Sequence, residues 1–273
     1  MTSFAFPVLI PDWPLPRGVR SVITMRPANR FKDGSDHEHL LALPPSVQNS
    51  SDPYSCLYNK VQTARKLLAR QLDLKLAPQW LQQEHGVTVV EASENGVIQV
   101  ADASFSRRRG LACAVLTADC LPLLVSAKDG SLVAAIHAGW RGLASGIIAN
   151  TLNALSVDPG ELIVYLGPGI SQQHFEVGPE VRQAFLGAVE EASLNKGLVG
   201  SNSTSVAECF RPSELSEGHY FADLYQLARI QLQGLGVTDI YGGEYCTFAQ
   251  AALFYSHRRD RDEGRMASLI WMP

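Results

Sequence analysis

Cys120 and His137 can bind a transition metal, or act as a nucleophile and its base. They flank Asp129-Gly130 in the stretch LACAVLTADCLPLLVSAKDGSLVAAIHAGWRG, residues 111–142. Apolar runs on both sides of an Asp-Gly pair are a strong short-range hairpin signal and favour a two-residue primed turn. With Asp129 and Gly130 as the loop, Lys128 pairs with Ser131 and residue 122 faces His137. Side chains repeat every second position along a strand, so Cys120, Pro122 and His137 share one face. Cys120 is then the diagonal neighbour of His137, with Cβ atoms about 7–8 Å apart. That separation suits two ligands of one metal, or a thiol and its base. Pro122 has no N–H for a ladder, which puts Cys120 at the edge of the regular strand. A one-residue slip would send the two side chains to opposite faces.

The elements around this hairpin alternate between strand and helix patterns. Residues 1–20 read as an edge strand followed by an irregular proline-rich segment, and Val19 to Met25 as a strand. Residues 27–55 read as a long loop in which His37 and His39 are solvated. Tyr58 to Leu74 has the clearest helical period, with Val61, Ala64, Leu68 and Leu72 on one face. Gln82-Gln83-Glu84-His85-Gly86 leads into a strand over 87–90, and in isolation His85 reads as a structural or surface histidine. Gly142 to Leu155 reads as one helix and Leu162 to Leu166 as a buried strand. The Gly167-Pro168-Gly169 turn after it is either a plain tight turn or an anion approach. Gly178 and Pro179 take the Ncap and N1 positions of the next helix. Residues 191–219 read as a second loop region. Asp223 caps a helix running to Gly234, and strands follow over 237–241 and 268–272. Mixed strands and helices without a repeat or linker predict a single α/β (α+β) domain over residues 1–273.

Bulk properties narrow the function. With 46% hydrophobic and 18% charged residues and a formal net charge of −4, the composition is that of a globular domain. It offers no basic footprint for nucleic acid. Arg107-Arg108-Arg109 reads as a solvated turn. No apolar run reaches the ~18–20 residues of a membrane span, and the N-terminal segment lacks the basic start of a signal peptide. Five cysteines without repeated spacing argue against a disulfide framework. A cytoplasmic protein is the expectation.

Several segments together resemble the bacterial laccase-domain, or polyphenol-oxidase-like, family. They are Gln83-x-His85-Gly86, Leu116-Thr117-Ala118-Asp119-Cys120-Leu121-Pro122, His137-Ala138-Gly139-Trp140-Arg141-Gly142, Leu166-Gly167-Pro168-Gly169-Ile170, Phe175-Glu176-Val177-Gly178, and Ser256-His257-Arg258-Arg259 through Gly264-Arg265-Met266-Ala267. Residues 1–79 match poorly. The resemblance implies a layered sandwich of mixed β-sheet with flanking helices, similar to the deamidase domain of cytotoxic necrotising factors. It implies a metal held by His85, Cys120 and His137. It also implies a multifunctional purine nucleoside phosphorylase acting on adenosine, inosine and guanosine, with adenosine deaminase and S-methyl-5'-thioadenosine phosphorylase activity.

Two imidazoles and one thiolate with an open fourth position form a catalytic zinc set. Zinc lowers the pKa of a bound water toward neutrality, which suits deamination. A copper-dependent polyphenol oxidase needs many more histidines than the seven present. Arg141, Arg258, Arg259 and Arg265 are candidates to bind phosphate bidentately. Asp119 is the candidate to hold His85 or His137 in one tautomer from outside the ligand set. One rival reading is a cysteine hydrolase or deamidase with Cys120 as nucleophile and His137 as base. Another is a nucleoside sensor without turnover.

Overall fold

The computed structural model describes residues 6–27, 41, 55–195, 203–261 and 264–273. His37 and His39 lie outside the described residues. Two sheets pack face to face with helices outside each. The larger sheet has six strands in the order Asp239–Gly242, Leu162–Leu166, Leu121–Ala127, Val133–Ala138, Ala103–Ser106 and Val89–Glu91. The outermost pair at each edge is parallel and the inner pairs are antiparallel. The second sheet is antiparallel, ordered Val8–Leu9, Arg20–Thr24, Met266–Trp271 and Cys113–Thr117. The first and last described strands thus lie in one sheet.

Burial explains why the strands read as continuous apolar runs rather than alternating ones. In Leu121–Ala127 every residue is buried. Leu121, Leu123 and Val125 pack under the helices Trp140–Ala144, Ile147–Leu155 and Leu224–Gly234. Leu124 faces the other way, meeting Ile23, Val115 and Ile270 between the sheets. On the far side of the four-stranded sheet, Ala64 and Leu68 of helix Ser55–Gln71 cover Val22, Ala114 and Leu269. No helix among the described residues is long and apolar enough to cross a membrane.

The central hairpin keeps the anticipated register, with Pro122 opposite His137, but not the anticipated turn. The last bonded pair is Ala127 with Leu132, so the loop has four residues, 128–131. Gly130 donates to the Ala127 carbonyl with φ of +71°, and Asp129 Oδ1 accepts from the Ser131 N–H. A four-residue loop centred on Asp129-Gly130 preserves the pairing that a two-residue loop would give.

Two other expectations are corrected. The single helix anticipated over 142–155 is two helices, because Gly146 adopts φ of +94° between them. Both press on the same sheet, so the apolar period runs on across the break. The supposed loop at 191–219 holds the end of helix Pro179–Asn195, helix Ser203–Glu208 and strand Phe210–Pro212. That strand joins Tyr220–Ala222 and Glu176–Val177 in a small sheet. Each of these strands has only two or three residues, too few for a strand period to show in the sequence.

Candidate metal centre

The Thr117-Ala118-Asp119-Cys120 segment is where the chain crosses from one sheet to the other. Strand Cys113–Thr117 belongs to the four-stranded sheet and Leu121–Ala127 to the six-stranded one. The reversal is sharp enough to put Asp119 at φ of +89°. Asp119 O accepts from the Ile170 N–H at 2.9 Å. In the turn after strand Leu162–Leu166, a Cβ on Gly167 would lie 2.8 Å from Pro122 Cγ, which explains that glycine. Cys120 therefore sits immediately before its strand, as the proline suggested.

His85 comes from the other side. Gln83 behaves as an extra strand residue: its amide donates to the Leu116 carbonyl and accepts from the Leu116 N–H, both at 2.8 Å. The chain then turns, with His85 at φ of +60°, a conformation uncommon for a non-glycine residue. The ring is exposed, and its Nε2 lies 3.7 Å from the Cys120 sulfur. His137 is buried in strand Val133–Ala138, 3% exposed, and its Nδ1 is 2.7 Å from Asp102 Oδ1. That bond leaves Nε2 for the other two residues. The two imidazoles meet edge to face with centroids 4.8 Å apart.

One ligand atom from each of His85, Cys120 and His137 lies within 4.8 Å of the others. A tetrahedral zinc with bonds of about 2.3 Å to sulfur and 2.0–2.1 Å to nitrogen separates such atoms by about 3.4–3.6 Å; the 3.7 Å between His85 Nε2 and Cys120 Sγ suits it, and two imidazoles with a thiol are ligand types that zinc takes. The glycines of HAGWRG make this approach possible. A Cβ on Gly139 would lie 2.7 Å from His85 Cδ2, 3.1 Å from Cys120 Sγ and 3.6 Å from His137 Nε2. A Cβ on Gly142 would lie 2.8 Å from the Gly86 carbonyl.

The electrostatics favour a thiolate. Burial works to raise the Cys120 thiol, but the charge of His137 and hydrogen bonds from His137 and His85 lower it to about 6. Burial likewise opposes charging His137, and the Cys120 thiolate and Asp102 raise the ring to about 9. Cys113 and Cys209, away from any cation, are pushed up to about 12 by burial.

Asp119 does not hold either histidine. Its carboxylate accepts from the Thr247 hydroxyl at 2.6 Å and the Arg258 N–H at 2.7 Å. It ties the Ser256–Arg259 turn to the sheet crossover. The carboxylate that holds His137 is Asp102, which sequence reasoning missed. Its one signal was a charged residue set between the apolar positions Ala101 and Ala103 of Val-Ala-Asp-Ala.

The arginines separate into two groups. Arg141 lies over the Trp140 ring at 4.4 Å and Arg258 over Phe175 at 5.5 Å. Both line a cavity of about 340 Å³ with Trp140, Phe175, Glu176 and His219. Its lining residue Trp140 follows Gly139 in the chain. Arg259 instead spends its guanidinium on the Thr247, Phe248 and Phe254 carbonyls and on Asp260, which is structural work. Arg265 bonds the Gly264 carbonyl at 2.8 Å and does not line this cavity.

The chain resembles known proteins along nearly its whole length. The family described as multi-copper polyphenol oxidoreductase laccase matches residues 49–273. A Pseudomonas aeruginosa protein named purine nucleoside phosphorylase PA4543 is 43% identical over 97% of this chain and 98% of its own length. Purine nucleoside phosphorylase YfiH of Escherichia coli K12 is 37% identical over 97% of this chain and 98% of its own. Among solved structures, Neisseria meningitidis NMB0706 superposes with a TM-score of 0.77 at 38% identity, covering 97% of this chain and 98% of that one. YlmD of Geobacillus stearothermophilus gives 0.75 at 26% identity, covering 98% and 97%.

Proposed function

Because the chain belongs to the multi-copper polyphenol oxidoreductase laccase family, we propose that it is a zinc-dependent purine nucleoside phosphorylase. The observation that carries this reading is the His85/Cys120/His137 cluster, together with a cavity lined by Trp140, Phe175, Arg141 and Arg258, the last of which bonds the Asp119 carboxylate next to Cys120 in the chain. Relatives along nearly the whole chain bear the phosphorylase name. Cavities of ~300 Å³ and above accept small ligands.

In the reaction, a phosphate oxygen bonds to ribose C1′ as the C1′–N9 bond breaks. The purine leaves, taking the proton that the attacking hydrogen phosphate gives up, and ribose 1-phosphate remains. Arg141 and Arg258 hold phosphate and stabilise its charge through guanidinium contacts. Trp140 and Phe175 supply flat apolar walls for the base. His85, Cys120 and His137 hold the zinc, which supplies a Lewis acid that involves no redox step. Phosphorolysis moves no electrons, so a redox-silent ion suits it better than copper. The substrates are adenosine, inosine and guanosine, with S-methyl-5'-thioadenosine cleaved in the same way. Deamination of adenosine at C6 is the companion hydrolytic activity.

The test is product analysis of adenosine and inosine, with and without phosphate, on protein of measured metal content. Base and ribose 1-phosphate formed only with phosphate support the reading. Base release indifferent to phosphate refutes it. One observation favours a second reading: the lowered Cys120 thiol beside His137 suits a cysteine hydrolase. In that reading metal-loaded protein is alkylated by iodoacetamide at Cys120 and inactivated, whereas a zinc ligand is shielded.

A further inference from the structure

We propose that Asp102 is the positioning residue of the metal centre, one carboxylate that sets both the tautomer of His137 and the backbone of the His85 loop. The inference rests on the zinc reading above for its affinity arm only. Asp102 is 1% exposed. Its Oδ1 accepts from His137 Nδ1 at 2.7 Å and from the His85 N–H at 3.0 Å. Its Oδ2 accepts from the Gly86 N–H at 2.7 Å and the Glu84 N–H at 3.3 Å. Its backbone joins in: the His137 N–H donates to the Asp102 carbonyl at 2.7 Å.

A carboxylate has about four acceptor positions, and here four donors converge on it. Two of the three ligands therefore take their placement from a single side chain. With Nδ1–H given to Asp102, His137 keeps a lone pair on Nε2, toward Cys120 and His85. With three successive N–H groups gathered on the same carboxylate, residue 85 is held at positive φ and its ring is brought to the sulfur.

An amide cannot do this. An Asn at 102 offers one oxygen and one NH2. If the NH2 replaces Oδ1, His137 Nδ1 must accept, its proton moves to Nε2, and a ligand is lost. If the NH2 replaces Oδ2, the Gly86 and Glu84 N–H groups face a donor and the loop loses its hold. Asp102→Asn breaks one half of the site in either orientation. Asp102→Ala breaks both.

Two measurements test this. Zinc affinity is read by competition with a chromophoric chelator on wild type, Asp102→Asn and Asp102→Ala, with Ser104→Ala as a buried control two residues along the chain. Amide hydrogen exchange at His85 and Gly86 is read on metal-free wild type and Asp102→Ala. The expected results are a loss of zinc affinity of about 10- to 100-fold in Asp102→Asn, unchanged affinity in Ser104→Ala, and faster exchange at both amides in Asp102→Ala. Wild-type affinity in Asp102→Asn overturns the proposal, and so do unchanged exchange rates in Asp102→Ala. Where Asp102→Ala does not fold, exchange and the His137 ring tautomer are read by NMR on Asp102→Asn. Retention of both the wild-type tautomer and the loop protection there overturns the proposal. A wild-type protein that binds no zinc would sink the proposed function but leave the exchange arm standing.

Discussion

Replacing Gly139 by alanine sets one methyl group against all three candidate ligands. The backbone accepts the change, since Gly139 has φ −65° and ψ 157°, values open to any residue. The whole penalty is therefore steric. The new Cβ would lie 2.7 Å from His85 Cδ2, closer than real Cβ contacts come, and 3.1 Å from the Cys120 sulfur. His85 is exposed and, without metal, its ring can swing away at little cost. With metal it has to return, and the clash is then paid in affinity. Overpacking of this kind costs about 1–3 kcal/mol. At about 1.4 kcal/mol per factor of ten, zinc affinity falls roughly 5- to 150-fold. The assay is chelator competition on wild type and Gly139→Ala, with thermal melts of both metal-free proteins. Weakened zinc binding with a nearly unchanged metal-free melt is the expected pattern. Affinity within twofold of wild type would show that the three side chains do not converge on one ion.

Further outcomes follow from the same geometry. In metal-free protein, iodoacetamide should alkylate Cys120 at a rate that is full above about pH 6 and falls as the pH drops through that value, because its thiolate protonates there; mass spectrometry locates the adduct, and a midpoint near 9 would contradict the account. Zinc binding should weaken over the same acid range, since protons compete for sulfur and imidazole, and affinity flat from pH 7 to 5 would count against the ligand set. Thr247→Val leaves the buried Asp119 oxygen without its hydroxyl partner and should cost about 1–3 kcal/mol in denaturant unfolding; no change would mean that bond is idle. Leu124→Ala opens the interface between the sheets and should cost about 2–5 kcal/mol, and a loss under 1 kcal/mol would contradict that packing. Arg258→Gln should raise the KM for phosphate more than that for nucleoside in steady-state kinetics, and the reverse split would remove Arg258 from the phosphate role.

What the sequence makes legible here is local or periodic. The Pro122–His137 pairing follows from an Asp-Gly loop between two apolar runs, and it tolerates an error in loop length because the loop is symmetric about the same point. Helix Leu224–Gly234 follows from its Asp223 cap, whose carboxylate accepts from the Gln226 N–H at 2.9 Å. Strand Leu162–Leu166 follows from five apolar residues between turns. What is hidden is long-range polar bonding. Asp102 meets His137 and Asp119 meets Thr247 across large separations, and neither pair leaves a spacing pattern along the chain. Asp119 sits beside a candidate ligand in sequence yet turns away from it, because positive φ at the crossover aims its side chain at the Arg258 turn. His85 carries no periodic signature, only the Gln83-x-His85-Gly86 resemblance. Its place comes from a left-handed turn held by Asp102, just ahead of strand Ala103–Ser106.

The most direct test is zinc-edge X-ray absorption of the purified protein. The account predicts one sulfur at about 2.3 Å and two imidazole nitrogens at about 2.0–2.1 Å, with the sulfur shell absent in Cys120→Ser. A zinc shell of nitrogen and oxygen alone in the wild type, or a sulfur shell that survives Cys120→Ser, would contradict it.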